Sequence, residues 1–247
     1  MLPYRRVNRS SPQCHHAATS IVGYQTTSVK AGSTTAFGVQ FENIADAAAG
    51  IPIKTIVTVG TPAGATGANS GADQIWTFDG FTWKKYYFYK RGSTTKWCLS
   101  GTTTEIGDDI VLKSGQSFYF VRSNTGDSTL TFAGAVAPLS SKVAYAVKAS
   151  STTAMAYPWP ESMKIKDFQQ FNSAPAGATG ANSGADQIWT FNGFTWTKYY
   201  YYKRGSTTKW CLAGSTTEIG DDVVIPSAAG FFFVRSNTAD ATITFAR

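Results

Sequence analysis

The sequence predicts an all-β protein built from two tandem homologous domains, each a β-sandwich or small β-barrel. Three observations carry that expectation. One long segment occurs twice, the composition favours pleated strands, and short aromatic or β-branched runs alternate with turn residues.

The repeat is the strongest of the three. Pro62–Gly134 overlays Pro175–Arg247 without gaps at a shift of 113, with about 57 of 73 positions identical. Upstream the match continues at a shift of 118, where Val29-Lys30-Ala31-Gly32-Ser33-Thr34-Thr35-Ala36 recurs as Val147-Lys148-Ala149-Ser150-Ser151-Thr152-Thr153-Ala154, and Tyr24 has a nearby counterpart in Tyr145. The two shifts differ by five residues, which places a length change between about 45 and 62. The predicted units are therefore residues 20–134 and 138–247. A unit of more than 100 residues is a whole domain, too long for a solenoid repeat.

Composition agrees. Hydrophobic residues make up 43% of the 247 positions and charged residues 15%, and β-branched and aromatic side chains suit a pleated surface. Within one unit, Ile75–Phe78, Asp79-Gly80 and Phe81–Trp83 read as a hairpin, because Asp-Gly accepts the positive φ angles of a type I′ turn. Asn192-Gly193 preserves that chemistry in the second copy. In this reading Trp76 and Phe78 share one face, as do Phe81 and Trp83. Lys85–Lys90 continues as a strand with aromatics on both faces, so both are expected to be covered. Asp109–Leu112, Ser117–Arg122 and Ser128–Phe132 follow as further strands, and Ala45–Gly50 has room for a helical turn only.

The net charge of +7 is unevenly spread. Arg5, Arg6 and Arg9 lie in the first 19 residues, residues 20–134 carry nine basic and eight acidic groups, and residues 138–247 carry ten and seven. Each unit is thus near neutral, whereas a phosphate-binding face needs clustered cations, so no nucleic-acid partner is expected. Nothing approaches the roughly 18 apolar residues of a membrane span. Residues 1–19 are basic, contain Cys14, His15 and His16, and lack the apolar run of a secretory signal. They are expected to be a disordered arm, a misassigned start or a replacement for a missing signal.

The chemistry available to the body is narrow. Both histidines fall in the leader, which leaves no imidazole for a nucleophilic relay or a zinc site, and no cofactor is implied. Ser93-Thr94-Thr95-Lys96, repeated as Ser206–Lys209, has the spacing of a serine–lysine nucleophile but lies between β-like runs without the partner motifs. The Gly-rich Pro62–Gly71 segment lacks the Gly-Lys-Ser/Thr ending of a phosphate cradle and reads as a flexible loop. The Lys90–Lys96 loop reads as a solvated turn. Glu105, Asp108 and Asp109, with Glu218, Asp221 and Asp222, form the one acidic group that could bind calcium or serve as paired carboxylates; solvated loop positions are the competing reading.

Trp76, Trp83, Trp97, Trp189, Trp196 and Trp210 carry the best ligand argument, since an exposed indole can bury the apolar face of a sugar. Core packing is the competing reading for each. Cys98 and Cys211 occupy equivalent positions and are expected to be buried thiols. Any site in the repeated part is expected twice, 113 positions apart.

Val22-Gly23-Tyr24-Gln25-Thr26, Lys30-Ala31-Gly32 and Val39-Gln40-Phe41-Glu42, with the closing runs Gly115–Val121 and Ala229–Val234, resemble secreted bacterial β-repeat proteins of the Verrucomicrobia–Lentisphaerae type. The resemblance implies export and an envelope or extracellular setting, and carries no activity with it. The expected function is therefore that of a non-enzymatic extracellular or cell-surface structural protein whose partner is itself, assembling into a layer, fibre or envelope component. The alternative is a tandem carbohydrate-binding module that uses the tryptophans on a polysaccharide.

Overall fold

The computed structural model describes residues 22–56, 58–60, 62–103, 107, 109–138, 142–170, 175–217 and 220–246. The leader, with His15 and His16, lies outside them, as do Glu105, Asp108 and Glu218. The chain is all-β, with antiparallel sheets throughout.

The first half runs β1 (Val22–Val29), β2 (Thr34–Gly38), β3 (Phe41–Glu42), β4 (Ile51–Pro52), α1 (Ile53–Ile56), β5 (Thr58–Val59), β6 (Gln74–Phe78), β7 (Trp83–Arg91), β8 (Thr94–Leu99), β9 (Val111–Leu112), β10 (Ser117–Val121) and β11 (Ser128–Val136). The second half runs β12 (Lys142–Val147), β13 (Thr152–Ala156), β14 (Met163–Lys164), a 3-10 turn at Ile165–Gln170, β15 (Gln187–Phe191), β16 (Trp196–Arg204), β17 (Thr207–Leu212), β18 (Val224–Ile225), β19 (Gly230–Val234) and β20 (Ala241–Ala246).

Each half has one five-stranded sheet, ordered β2-β10-β6-β7-β8 in the first and β13-β19-β15-β16-β17 in the second. A smaller sheet lies against it: β1-β11-β3 with β5 also on β11, and β12-β20 in the second half. Alternation along the strands decides what fills the space between the layers. Phe37, Ile75, Tyr86, Trp97, Phe118 and Phe120 come from the large sheet, and Val29, Phe41, Leu130 and Phe132 from the small one. The second core repeats this plan, with Trp159 and Phe168 added.

On β7 the aromatics do face both ways. Tyr86 and Phe88 pack inward with Trp97, while Tyr87 and Tyr89 are buried outward against Ala72 and Cys98. Their cover is the Gly-rich segment, so its expected flexibility is replaced by a fixed course. Ala65 bridges Tyr89 in parallel, taking up the edge that β6 leaves unpaired. Asp73, fully buried, anchors the segment: it accepts from the amides of Ala63 and Ser123 and pairs with Arg122 at 2.6 Å. Asp186 and Arg235 repeat the pair. Such a pair tolerates burial because further hydrogen bonds satisfy both ions.

The hairpin forms as expected but its turn is centred one residue later. Phe78 pairs with Trp83, and the Asp79 amide donates to the Thr82 carbonyl, so Gly80 and Phe81 are the central residues. Gly80 takes φ 101°, which favours glycine first in the turn. The Asp79 side chain accepts instead from the amides of Phe81 and Thr82. As a result Trp83, in place of Phe81, lies opposite Phe78, and Phe81 projects from the tip.

Two alignments also shift. Leu130 and Ile243 are repeat equivalents; they pair with Thr27 and Tyr145, so Tyr145 stands in the place of Thr27, and Tyr24 matches Lys142. Ile51 and Met163 pair with the equivalent Leu112 and Ile225. The extra residues of the first half therefore lie before Ile51, in the stretch that holds β3 and the Ala47–Ala49 turn. The Ser93–Lys96 motif falls on a turn and the start of β8, with no helix to aim the serine.

Candidate functional site

The outer faces of the two large sheets meet in an aromatic seam. The first half contributes Ala36, Trp76, Phe78 and Tyr119, the second Ala154, Trp189, Phe191 and Phe232, with Trp83 and Trp196 at its margins. Rings cross it at Phe78–Phe232 (5.5 Å), Tyr119–Phe191 (5.9 Å), Trp83–Phe232 (5.9 Å) and Tyr119–Trp196 (6.1 Å). Each such pair is worth about 0.5–1.5 kcal/mol beyond its buried area, so the seam behaves as a small core.

These contacts come in equivalent pairs, as a local twofold requires. The backbone obeys the same symmetry. Gly38 donates its amide to the Ala228 carbonyl at 2.7 Å, and the equivalent Ala156 donates to Gly115 at 2.6 Å. On the twofold, equivalent positions meet each other. A Cβ on Gly38 would lie 2.2 Å from that of Ala156, and a Cβ on Gly230 would lie 2.7 Å from that of Ser117. One member of each pair must be glycine.

Where the copies differ, the seam is asymmetric. Ser227 donates to the buried Gln40, whose amide donates to the Trp159 carbonyl across the halves. The position equivalent to Gln40 is Pro158, and the equivalent serine, Ser114, is left with a buried hydroxyl that has no partner among the described residues. Tyr119 replaces Phe232, and burial in the seam pushes its hydroxyl pKa well above the usual tyrosine range.

The six tryptophans thus divide. Trp97 and Trp210 are buried in the two cores, which overturns their expected role as ligand platforms: their strands turn them inward, toward Phe88 and Phe168. Trp76 and Trp189 are half-buried in the seam, each with a lysine ammonium, Lys85 or Lys198, under 4 Å from its ring centre (3.9 and 3.8 Å). Trp83 and Trp196 keep 39% and 38% of their surface. The residues that sequence reasoning missed are at the hairpin tips, where Phe81 and Phe194 are 84% and 89% exposed.

The acidic candidates with described positions are engaged separately. Asp109 pairs with Lys54, Asp222 with Lys164 and Lys166, and the buried Asp221 accepts from the Trp210 amide. The two lysines hold the Asp222 carboxyl below its usual pKa, with the Lys166 hydrogen bond the larger cause. Among the described residues no group of three or more His, Cys, Asp and Glu could hold a metal, and no helix is long and apolar enough to cross a membrane. Cys98 and Cys211 are buried thiols, as expected.

Beside the seam, a cavity of about 390 Å³ opens between the first hairpin tip and the second half. Asp79, Phe81, Gln116, Tyr145, Lys148 and Thr152 line it. Its two charged groups are held in place differently. Asp79 is bound by two tip amides that lower its pKa, with Thr82 the larger cause, and Lys148 pairs with Asp240 at 2.6 Å. One signal in the sequence points here. The copies differ at Lys113, Gly115, Gln116, Ser117 and Tyr119, a cluster of changes inside an otherwise repeated segment, and four of these five line the seam or the cavity.

Compared with family models and with curated proteins, the chain matches none.

Proposed function

We propose that the protein is a non-enzymatic structural component, secreted or displayed at the cell surface, that self-associates into a layer, fibre or envelope assembly through strand β1. One observation carries this reading. Among the described residues β1 is an edge strand of eight residues, paired on one side only by β11 in unbroken register. Its sequence, Val22-Gly23-Tyr24-Gln25-Thr26-Thr27-Ser28-Val29, holds no charge and no proline, the usual guards of an edge. Tyr24 is 80% exposed and Val22 shares its face. An edge with open amides and carbonyls and an apolar face is a template for another chain. The resemblance to exported β-repeat proteins supports the location, and the two halves are read as tandem domains, 20–134 and 138–247.

Sedimentation velocity and negative-stain microscopy of the full chain test this. Larger species are expected to grow with concentration, and a Tyr24→Lys/Thr26→Lys variant should need at least tenfold more protein to reach the same degree of association. A wild-type chain that stays a monodisperse monomer at high concentration, with and without calcium, would overturn it. The second reading, a tandem carbohydrate-binding module, keeps only Trp83 and Trp196 of its original platforms.

A further inference from the structure

The geometry points to one saccharide-binding site per chain, in the cavity between the first hairpin tip and the second half, and we propose that it takes a neutral hexopyranose unit of an oligosaccharide. The argument is independent of the β1 edge. Sugar recognition needs an accessible ring for the apolar face and uncommitted hydrogen-bonding groups for the hydroxyls. Phe81 supplies the ring. It is 84% exposed, yet its backbone is fixed by the amide hydrogen bond to Asp79, at 3.0 Å. Such a platform binds with little ordering cost.

Hydrogen-bonding groups are present on the opposite walls. Gln116 uses its carbonyl oxygen on the Lys113 amide at 2.8 Å, and its NH₂ group has no protein partner among the described residues. Thr152 shares the seam-facing side of β13 with Ala154, and its hydroxyl likewise has no protein partner there. Lys148 is paired with Asp240, while Asp79 keeps a negative charge stabilised by the tip amides and the Thr82 hydroxyl, so the lining disfavours an acidic ligand and suits a neutral one.

The site is single because the twofold is imperfect. At the equivalent location Gln116 is replaced by Ala229, Tyr145 by Thr27 and Asp79 by Asn192, while the tip ring, Phe194, is kept. The second location therefore has the platform without the amide and phenol walls. That difference supplies an internal control.

Isothermal titration calorimetry of the full chain with β-1,4-linked glucose and N-acetylglucosamine hexamers, and with an α-1,4-linked glucose hexamer, tests the assignment. At least one hexamer is expected to bind with a stoichiometry of one per chain. Phe81→Ala should weaken it at least tenfold and Gln116→Ala at least threefold, with Phe194→Ala unchanged. Phe81, Phe194 and Gln116 are all exposed, so circular dichroism is expected to show all three variants folded. Absence of binding by every hexamer at millimolar concentration would overturn the proposal, and so would an equal loss in Phe81→Ala and Phe194→Ala.

Discussion

The hydroxyl oxygen of Tyr145 lies 1.3 Å from the point that a Cβ on Gly115 would occupy. Tyr145 belongs to the second half and Gly115 to the first, so one side chain of the second half fits only because one of the first is missing. The equivalent pair is reversed in size: Ala228 carries the methyl group, and Thr27 stands in the place of the tyrosine. Gly115 also adopts φ 81°, which a β-carbon disfavours.

Gly115→Ala is therefore expected to destabilise the protein by about 2–4 kcal/mol, combining overpacking with the left-handed backbone. Adding Tyr145→Thr should recover at least about 1 kcal/mol, because the two changes act on one contact. Urea denaturation of the two single variants and the double variant measures the coupling; strict additivity would refute it.

A second prediction concerns the twofold itself. Gly38→Ala brings two β-carbons together where 2.2 Å separates the ideal positions, and is expected to cost about 1–3 kcal/mol or more. The exchanged pair, Gly38→Ala with Ala156→Gly, moves the methyl group to the other side of the same contact. Its thermal midpoint should return most of the way to wild type, which differential scanning calorimetry can read.

A third concerns acid. The amides of Thr82 and Phe81, and then the Thr82 hydroxyl, hold Asp79 below its ordinary pKa. A carboxyl lowered in the folded state adds stability above its unfolded value, and loses it as pH falls through the folded one. Below about pH 4 the first hairpin tip should loosen while the second, capped by the non-titrating Asn192, stays as it was. Amide exchange at Phe81 and Thr82 compared with Phe194 and Thr195 would show this. Asp79→Asn should abolish the difference.

Much of the fold is legible in the sequence. The repeat, the strands around Ile75–Phe78 and Lys85–Lys90, and the hairpin all follow from local pattern and turn chemistry. Local pattern also explains what was misplaced. Asp79 suits both the centre of a turn and a capping position before it, and the second outcome satisfies two more amides. Trp97 and Trp83 read alike in isolation, because which face of a strand meets a core depends on what the other layer supplies. Tyr24 and Tyr145 align by residue type and separate by register. The seam is legible only by asking where two near-copies stop agreeing. Where equivalent positions meet each other on the twofold without room for two β-carbons, the copies differ, and no motif records that.

The two close approaches on the twofold, Gly38 with Ala156 and Ser117 with Gly230, have opposite senses. The first half is bare at one position and filled at the other, and the second half is the reverse. Two first halves would collide serine on serine, and two second halves alanine on alanine. The seam is thus heterotypic by steric rule, although its halves descend from one sequence pattern. A half packed in this way against a second copy of itself would meet one of these clashes, whereas its unlike counterpart meets neither.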